Sequence, residues 1–164
     1  MDRPTAEERL DLQELFARYC WALNTGDADG YVACFAREGW VQHFPPERHQ
    51  GADAIRQMLD EIWYGRPHIF LGRQHHPSNF LFERTADGIN VKAYWSVTRL
   101  DQGTNTVSAF LQGDWDADCI VEDAQWKFTS LKIRHWLRQE MPWVGDPKAR
   151  LVRPSDAHKL PGEF

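Results

Sequence analysis

Ile89-Asn90-Val91-Lys92-Ala93-Tyr94-Trp95-Ser96-Val97-Thr98 is the stretch that decides the fold class. Ile89, Val91, Ala93, Trp95 and Val97 alternate with Asn90, Lys92, Tyr94, Ser96 and Thr98, the period of two that marks a half-buried β-strand. Ala86-Asp87-Gly88 just before it is a hairpin signal, which predicts a partner strand over about His75–Glu83. Two more long strands are expected downstream, near Thr106–Asp116 and Gln125–Leu137, with a turn at Glu122-Asp123-Ala124. Upstream the period is helical. Thr5 followed by Glu8 forms a capping box, in which each side chain meets a backbone donor that the first turn leaves orphaned. Leu12, Leu15, Phe16, Tyr19 and Leu23 then line one face of a first helix that Asn24-Thr25-Gly26 ends. Asp27 caps a second helix carrying Tyr31, Val32 and Phe35. A short strand, Trp40–Phe44, precedes a third helix from about Asp53 to Trp63, with Ile55, Met58, Leu59 and Ile62 on one side.

Three N-terminal helices and an antiparallel meander make an α+β fold. Long strands rich in Trp and Phe curl around a helical layer, and the expected shape is a cone-shaped α+β barrel whose strongly curved, antiparallel or mixed sheet leaves a cavity. A largely apolar cavity with few polar groups has the usual character of a small-molecule site.

Composition narrows the function. The chain has 164 residues, enough for one domain, and 42% hydrophobic content with 13% aromatics supplies a sizeable core. A formal net charge of −5 argues against nucleic-acid and anionic-membrane partners, which need clustered positive charge. There is no apolar run of the ~20 residues a bilayer requires, and the polar N-terminus has no signal-peptide core, so a cytoplasmic protein is expected. Cys20, Cys34 and Cys119 are odd in number and widely spaced, which predicts buried reduced thiols and neither disulfide nor metal site. No Walker loop, G-x-G-x-x-G, G-x-S-x-G or H-E-x-x-H is present, so no cofactor is implied. From Pro142 the chain becomes Pro-rich, with Pro147, Pro154 and Pro161, and the expected organisation is a domain over 1–141 and an extended tail over 142–164.

Four strings, in order, carry a family likeness. Leu15-Phe16-Ala17-Arg18-Tyr19-Cys20-Trp21-Ala22-Leu23-Asn24-Thr25-Gly26-Asp27 resembles the first-helix signature of the SnoaL-like group in the nuclear transport factor 2-like superfamily. Gly51-Ala52-Asp53-Ala54-Ile55, Arg73-Gln74-His75-His76-Pro77-Ser78-Asn79 and Trp126-Lys127-Phe128-Thr129-Ser130-Leu131-Lys132-Ile133-Arg134-His135-Trp136 fit the same pattern. The resemblance implies scytalone dehydratase-like or bile-acid dehydratase-like chemistry, in which Tyr, Asp and His, sometimes with Arg, remove a proton beside a carbonyl. It carries the Tyr to Tyr19, the His to His75 and the Arg to Arg134. The Asp position falls on Asn24, and a further acidic position falls at about Arg99; both depart from the pattern. A homodimer or homotrimer is the assembly the resemblance implies.

His75 is the leading candidate for general acid or base, because a neutral imidazole suits proton transfer near pH 7. His75 and His76 point to opposite faces of a regular strand, so only one enters the cone. Tyr19 and Arg134 are expected to polarise an oxygen, although Tyr19 fits core packing and Arg134 a rim ion pair equally well. Arg134 and His135 also alternate, so one of them enters unless a bulge intervenes. Asn24 and His43 would orient the ligand, and Trp40 and Trp95 would line the cone around it. The leading expectation is a cofactor-independent lyase, isomerase or cyclase acting on a hydrophobic, ring-containing carbonyl compound. The rival is a non-catalytic binding protein or accessory subunit, such as one resembling the small subunit of ring-hydroxylating dioxygenases. Asn24 and Arg99 favour that rival.

Overall fold

Helix α1 (Ala6–Thr25) begins where the capping box predicts. The Glu8 backbone N–H donates to Thr5 Oγ1 at 3.2 Å, and the Thr5 N–H donates to Glu8 Oε2 at 2.7 Å. Gly26, at φ 78°, ends the helix in the left-handed conformation that an L-residue adopts only at a cost. Asp27 accepts the Gly30 N–H at 2.8 Å and caps α2 (Ala28–Ala33). That helix stops one turn earlier than the spacing suggests. Phe35 opens strand β1 (Phe35–Gln42) instead, paired in parallel with Phe128. Then come β2 (His49–Gln50), α3 (Gly51–Leu59) and a π-helical turn over Asp60–Tyr64.

The remaining strands are β3 (Gln74–Arg84), β4 (Ile89–Asp101), β5 (Thr106–Glu122) and β6 (Gln125–His135). Among the described residues the strands form a six-stranded mixed sheet in the order β2-β1-β6-β5-β4-β3, in which the β1–β6 pair is parallel and the others are antiparallel. This computed structural model describes residues 3–43, 46–64, 72–101 and 103–136. Phe44, the expected strand end at Leu137 and the Pro-rich tail lie outside them.

The helices cover one face of the sheet, and aromatic side chains fill the space between. Phe16 of α1 packs against Phe80, Trp115 and Phe128 at centroid separations of 5.4, 5.5 and 5.0 Å. Tyr19 adds edge contacts to Trp115 and Phe128. Trp115 is 1% exposed and sits at the middle of this core.

Four register shifts interrupt the ladders; one lies in β1 between Phe35 and Trp40, and the other three lie among β3–β6 and change which residues face inward. In β3 the shift falls between Ser78 and Leu81, where Asn79 takes φ 53°. His75 faces in before it, whereas Phe80 and Phe82 pack on the core after it. Between β5 and β6, Asp118 pairs with Ser130 but Cys119 with Phe128, leaving Thr129 as the extra residue. Between β4 and β5, Val97 pairs with Leu111 but Thr98 with Ala109. Bulges of this kind bend a strand, and here they lie on the strands that wall the cavity.

Candidate active site

Tyr19 and Leu23 of α1, Tyr31 of α2, His43 just after β1, and inward residues of β3–β6 line a narrow cavity whose empty space, its opening to solvent included, is about 330 Å³. The strand contribution is His75, Trp95, Val97, Leu111, Trp115, Ile133 and His135. The space is narrow: its clear centre is about 10 Å³, room for about one water-sized sphere. No Asp, Glu, Lys or Arg is among the lining side chains, and the ionisable ones are three histidines and two tyrosines.

Those histidines are neutral. Burial, and after it the Arg73 charge, push His75 down to about 3. Burial, then the neighbouring His135 and His75, take His43 down to about 3. Burial lowers His135 as well. His135 bridges the group, with its ring 4.8 Å from that of His43 and 5.1 Å from that of Trp95. Among the described residues no group of His, Cys, Asp or Glu is arranged to hold a metal ion.

Asn24, in the last turn of α1, determines the proton placement on His75. The backbone N–H of His75 reaches Asn24 Oδ1 at 3.1 Å, and His75 Nδ1 lies 2.7 Å from the same atom. A backbone N–H can only donate, so the amide atom facing it is the oxygen, and an amide oxygen only accepts. Nδ1 therefore carries the ring proton, and Nε2 is the basic nitrogen. The bond also ties α1 to β3 across 51 residues of chain.

On the other side of the cavity the Tyr31 hydroxyl donates to the Tyr19 hydroxyl at 3.4 Å, a long bond. With Tyr31 donating, Tyr19 keeps its own proton for another acceptor. Burial raises both phenols above their ordinary range, so they act as donors and not as bases. The Trp95 indole Nε1–H is buried and has no acceptor among the described residues. Trp95 stands opposite Gly113 in the ladder, and a Cβ there would come within 2.5 Å of the indole. The missing side chain at Gly113 is what gives Trp95 its place in the wall.

The structure brings together Tyr19, Asn24, His43, His75 and Trp95 from the sequence-derived set. It separates the other two. Arg134 stands on the opposite face of the sheet, where its Nε donates to Asp114 Oδ2 at 2.7 Å, and it does not reach the cavity. The extra residue at Thr129 is the reason: beyond it the inward positions are Leu131, Ile133 and His135, so His135 takes the place expected of Arg134. Trp40 also faces away, in an open surface depression with the Arg48 guanidinium 4.1 Å above its ring. Val41, its neighbour, faces the core instead, as Phe35 does at the start of the strand. Sequence reasoning left open which of Arg134 and His135 enters, divided Trp115 and the other tryptophans between cone lining and a subunit interface, and passed over Tyr31 as a wall residue. The helical position of Tyr31 and the even spacing of Trp115 from Gly113 were the available signals.

A family model for the SnoaL-like domain matches residues 4–132. Among curated proteins there is no significant match. Solved structures share the fold. A Mycobacterium tuberculosis protein described as of unknown function is 24% identical with a TM-score of 0.70, covering 85% of this chain and 84% of its own. A Novosphingobium aromaticivorans protein assigned as a scytalone dehydratase is 21% identical, with a TM-score of 0.66 and coverage of 79% and 85%. A Catenulispora acidiphila protein in complex with S-DNPA is 19% identical, with a TM-score of 0.71 and coverage of 80% and 95%. At such identities the likeness speaks to fold alone.

Proposed function

The chain belongs to the SnoaL-like domain family, and from that premise we propose a cofactor-independent lyase, isomerase or cyclase that moves a proton on a hydrophobic, ring-containing carbonyl compound. The observation that carries this reading is the double contact of Asn24 Oδ1 with His75, which leaves Nε2 as the base at an apolar cavity wall. Nε2 takes the proton from the carbon beside the carbonyl, and the C–H electron pair moves toward the carbonyl oxygen. Tyr19 O–H and Trp95 Nε1–H are the donors for that oxygen as negative charge develops. In a dehydration the proton then passes from Nε2 to the departing hydroxyl on the next carbon, which leaves as water. In an isomerisation it returns to a different carbon. The narrow cavity requires wall side chains to part around a ring, and Leu111 and His135 are the partly exposed ones.

A thermal-shift screen of steroids, polyketide-like aromatics and terpenoid ketones, followed by product analysis, tests the reading. A ligand at one hundred times its Kd adds about 2.7 kcal/mol of stability. His75→Gln should keep the fold and lower turnover about 10²- to 10⁴-fold, the usual contribution of a positioned base. Unchanged turnover in that variant would remove His75 from the chemistry.

One observation favours a second reading, a binding protein or accessory subunit. The group on His75 is an amide, which orients the ring but adds no negative charge to stabilise its cation. Asn24→Asp separates the two. Activity rises if the amide limits an enzyme, whereas ligand binding without product in both proteins supports the binder.

A further inference from the structure

Two buried donors of the cavity wall have no acceptor among the described residues. One is the Trp95 indole Nε1–H, on a side chain 4% exposed. The other is the proton of Tyr19, which is 1% exposed and whose hydroxyl has Tyr31 as its sole hydrogen-bond partner among those residues. Both donors flank one ring. Trp115 lies 5.5 Å from the Tyr19 ring and 6.1 Å from the Trp95 ring, and all three side chains line the cavity. A buried donor without an acceptor costs about 1–3 kcal/mol, so the pair favours a ligand that supplies an acceptor atom.

Tyr31 is what makes Tyr19 a member of this pair. A hydroxyl has one proton and two acceptor sites. The Tyr31 proton fills one of those sites on Tyr19, so the Tyr19 proton points elsewhere. The edges of Trp115 and Phe128 beside Tyr19 offer it no acceptor, which leaves the cavity. Tyr31 itself is fixed at backbone and ring. Its N–H donates to the Asp27 carbonyl at 3.0 Å, its carbonyl accepts the Cys34 N–H at 3.1 Å, and its ring lies 4.8 Å from Tyr19 and 5.5 Å from Phe35. Burial keeps both phenols protonated at neutral pH, so the direction of the hydrogen bond persists.

We propose that Tyr31 is a positioning residue that sets specificity: by holding Tyr19 as a donor beside Trp95, it makes the cavity select a ring ketone over the matching secondary alcohol. The inference rests on the cavity being the ligand site and narrows the class of compound it takes. A carbonyl oxygen has two lone pairs and no proton, so it accepts from both donors and leaves nothing unpaired. An alcohol oxygen brings a proton that needs an acceptor as well. With His75 Nε2 facing the neighbouring carbon, as the proposed proton transfer requires, that proton is left without one. Sites built from buried hydrogen-bonding groups discriminate in this way because the wrong ligand leaves a polar group unsatisfied. Without the Tyr31 hydroxyl, Tyr19 is free to turn its proton away and accept from an alcohol.

Calorimetric titration of the full chain with 2-indanone and with 2-indanol, the same rings bearing the alcohol, tests this. Wild type should bind the ketone about tenfold more tightly, and Tyr31→Phe should lose most of that preference. Tyr19→Phe should lose it too, and adding Tyr31→Phe to that variant should change nothing more, since Tyr31 acts through Tyr19. Infrared spectra of bound carbonyl-labelled 2-indanone give a readout that packing alone would not move: the C=O stretch should lie lower in wild type than in Tyr31→Phe. That substitution removes one oxygen and keeps the ring, and a thermal unfolding curve checks that the fold is retained. An unchanged preference with an unchanged stretch in Tyr31→Phe overturns the role of Tyr31. Wild type binding the alcohol as tightly as the ketone overturns the selection itself. In both cases a bound ketone leaves the cavity reading standing, and turnover by His75 is tested separately. If neither compound binds, the inference and the cavity reading fall together.

Discussion

On the inner face of β3–β6 stand His75, Trp95, Trp115, Ile133 and His135; on the outer face, one residue away in each case, stand His76, Tyr94, Asp114 and Arg134. The outer face keeps its charges in the open and satisfies them locally. Asp114 receives both Arg134 and the Trp136 indole, whose Nε1 donates to Oδ1 at 2.7 Å, and Tyr94 packs edge-on against Trp136 at 4.8 Å. The cavity lining holds polar groups only in neutral form: imidazoles with lowered pKa, phenols with raised pKa and one indole N–H. A charge on the outer face loses little by facing water, whereas one on the inner face would lose its hydration. Chemistry on this sheet therefore depends on which side of the backbone a residue takes, more than on which residue it is.

The contrast breaks most readily at its largest side chain. Trp115→Ala on the inner face should cost about 3–5 kcal/mol in chemical denaturation, because the core around Phe16 and Tyr19 cannot collapse into the space left. Tyr94→Ala on the outer face should cost less than about 1 kcal/mol. Comparable losses at the two positions would mean that the outer face is also a packed surface.

Acid should expose the same asymmetry. His43 and His75 have folded-state pKa values near 3, below the 6.5 of an unfolded histidine. Between those values the unfolded chain binds more protons, so stability is full above about pH 6.5 and falls as pH drops toward 3. Each buried ring contributes a loss of roughly 1 kcal/mol per pH unit over that window. Urea titrations at pH 7, 6 and 5 on wild type and His43→Phe should show a shallower acid dependence in the variant. An identical slope would remove His43 from the inner-face account.

The smallest effect is expected at Arg134, which the sequence likeness assigns to the chemistry and the fold places on the outer face. Arg134→Ala breaks an ion pair whose arginine side chain is 55% exposed, and should change stability by less than about 1 kcal/mol. Turnover on any substrate found should stay within a few-fold of wild type. A loss comparable to that of His75→Gln would return Arg134 to the reaction.

Much of this arrangement is readable along the chain. The capping box at Thr5, the stripe from Leu12 to Leu23, the stop at Gly26 and the alternation from Ile89 to Val97 are local signals, and each element forms where they indicate. His75 and His76 also part to opposite faces, as strand geometry requires. The start of β1 at Phe35 is less legible, because its cause is a parallel partner, Phe128, far along the chain. The π-turn after Leu59 has no signal in the apolar spacing, which simply continues through Ile62.

Local periodicity by itself determined the helices, the strands and the apolar character of the space between them, since backbone geometry imposes periods of 3.6 and 2 on any amphipathic segment. The family resemblance singled out Asn24 and His75, whose meeting needed the fold to bring α1 onto β3. Only the tertiary structure decided which of Arg134 and His135 enters the cavity, and that His75 shares a face with Phe80. A single extra residue in a ladder, at Asn79 or at Thr129, turns every side chain beyond it to the other face. Such a residue shows itself only through the register of the neighbouring strand, which no local pattern records.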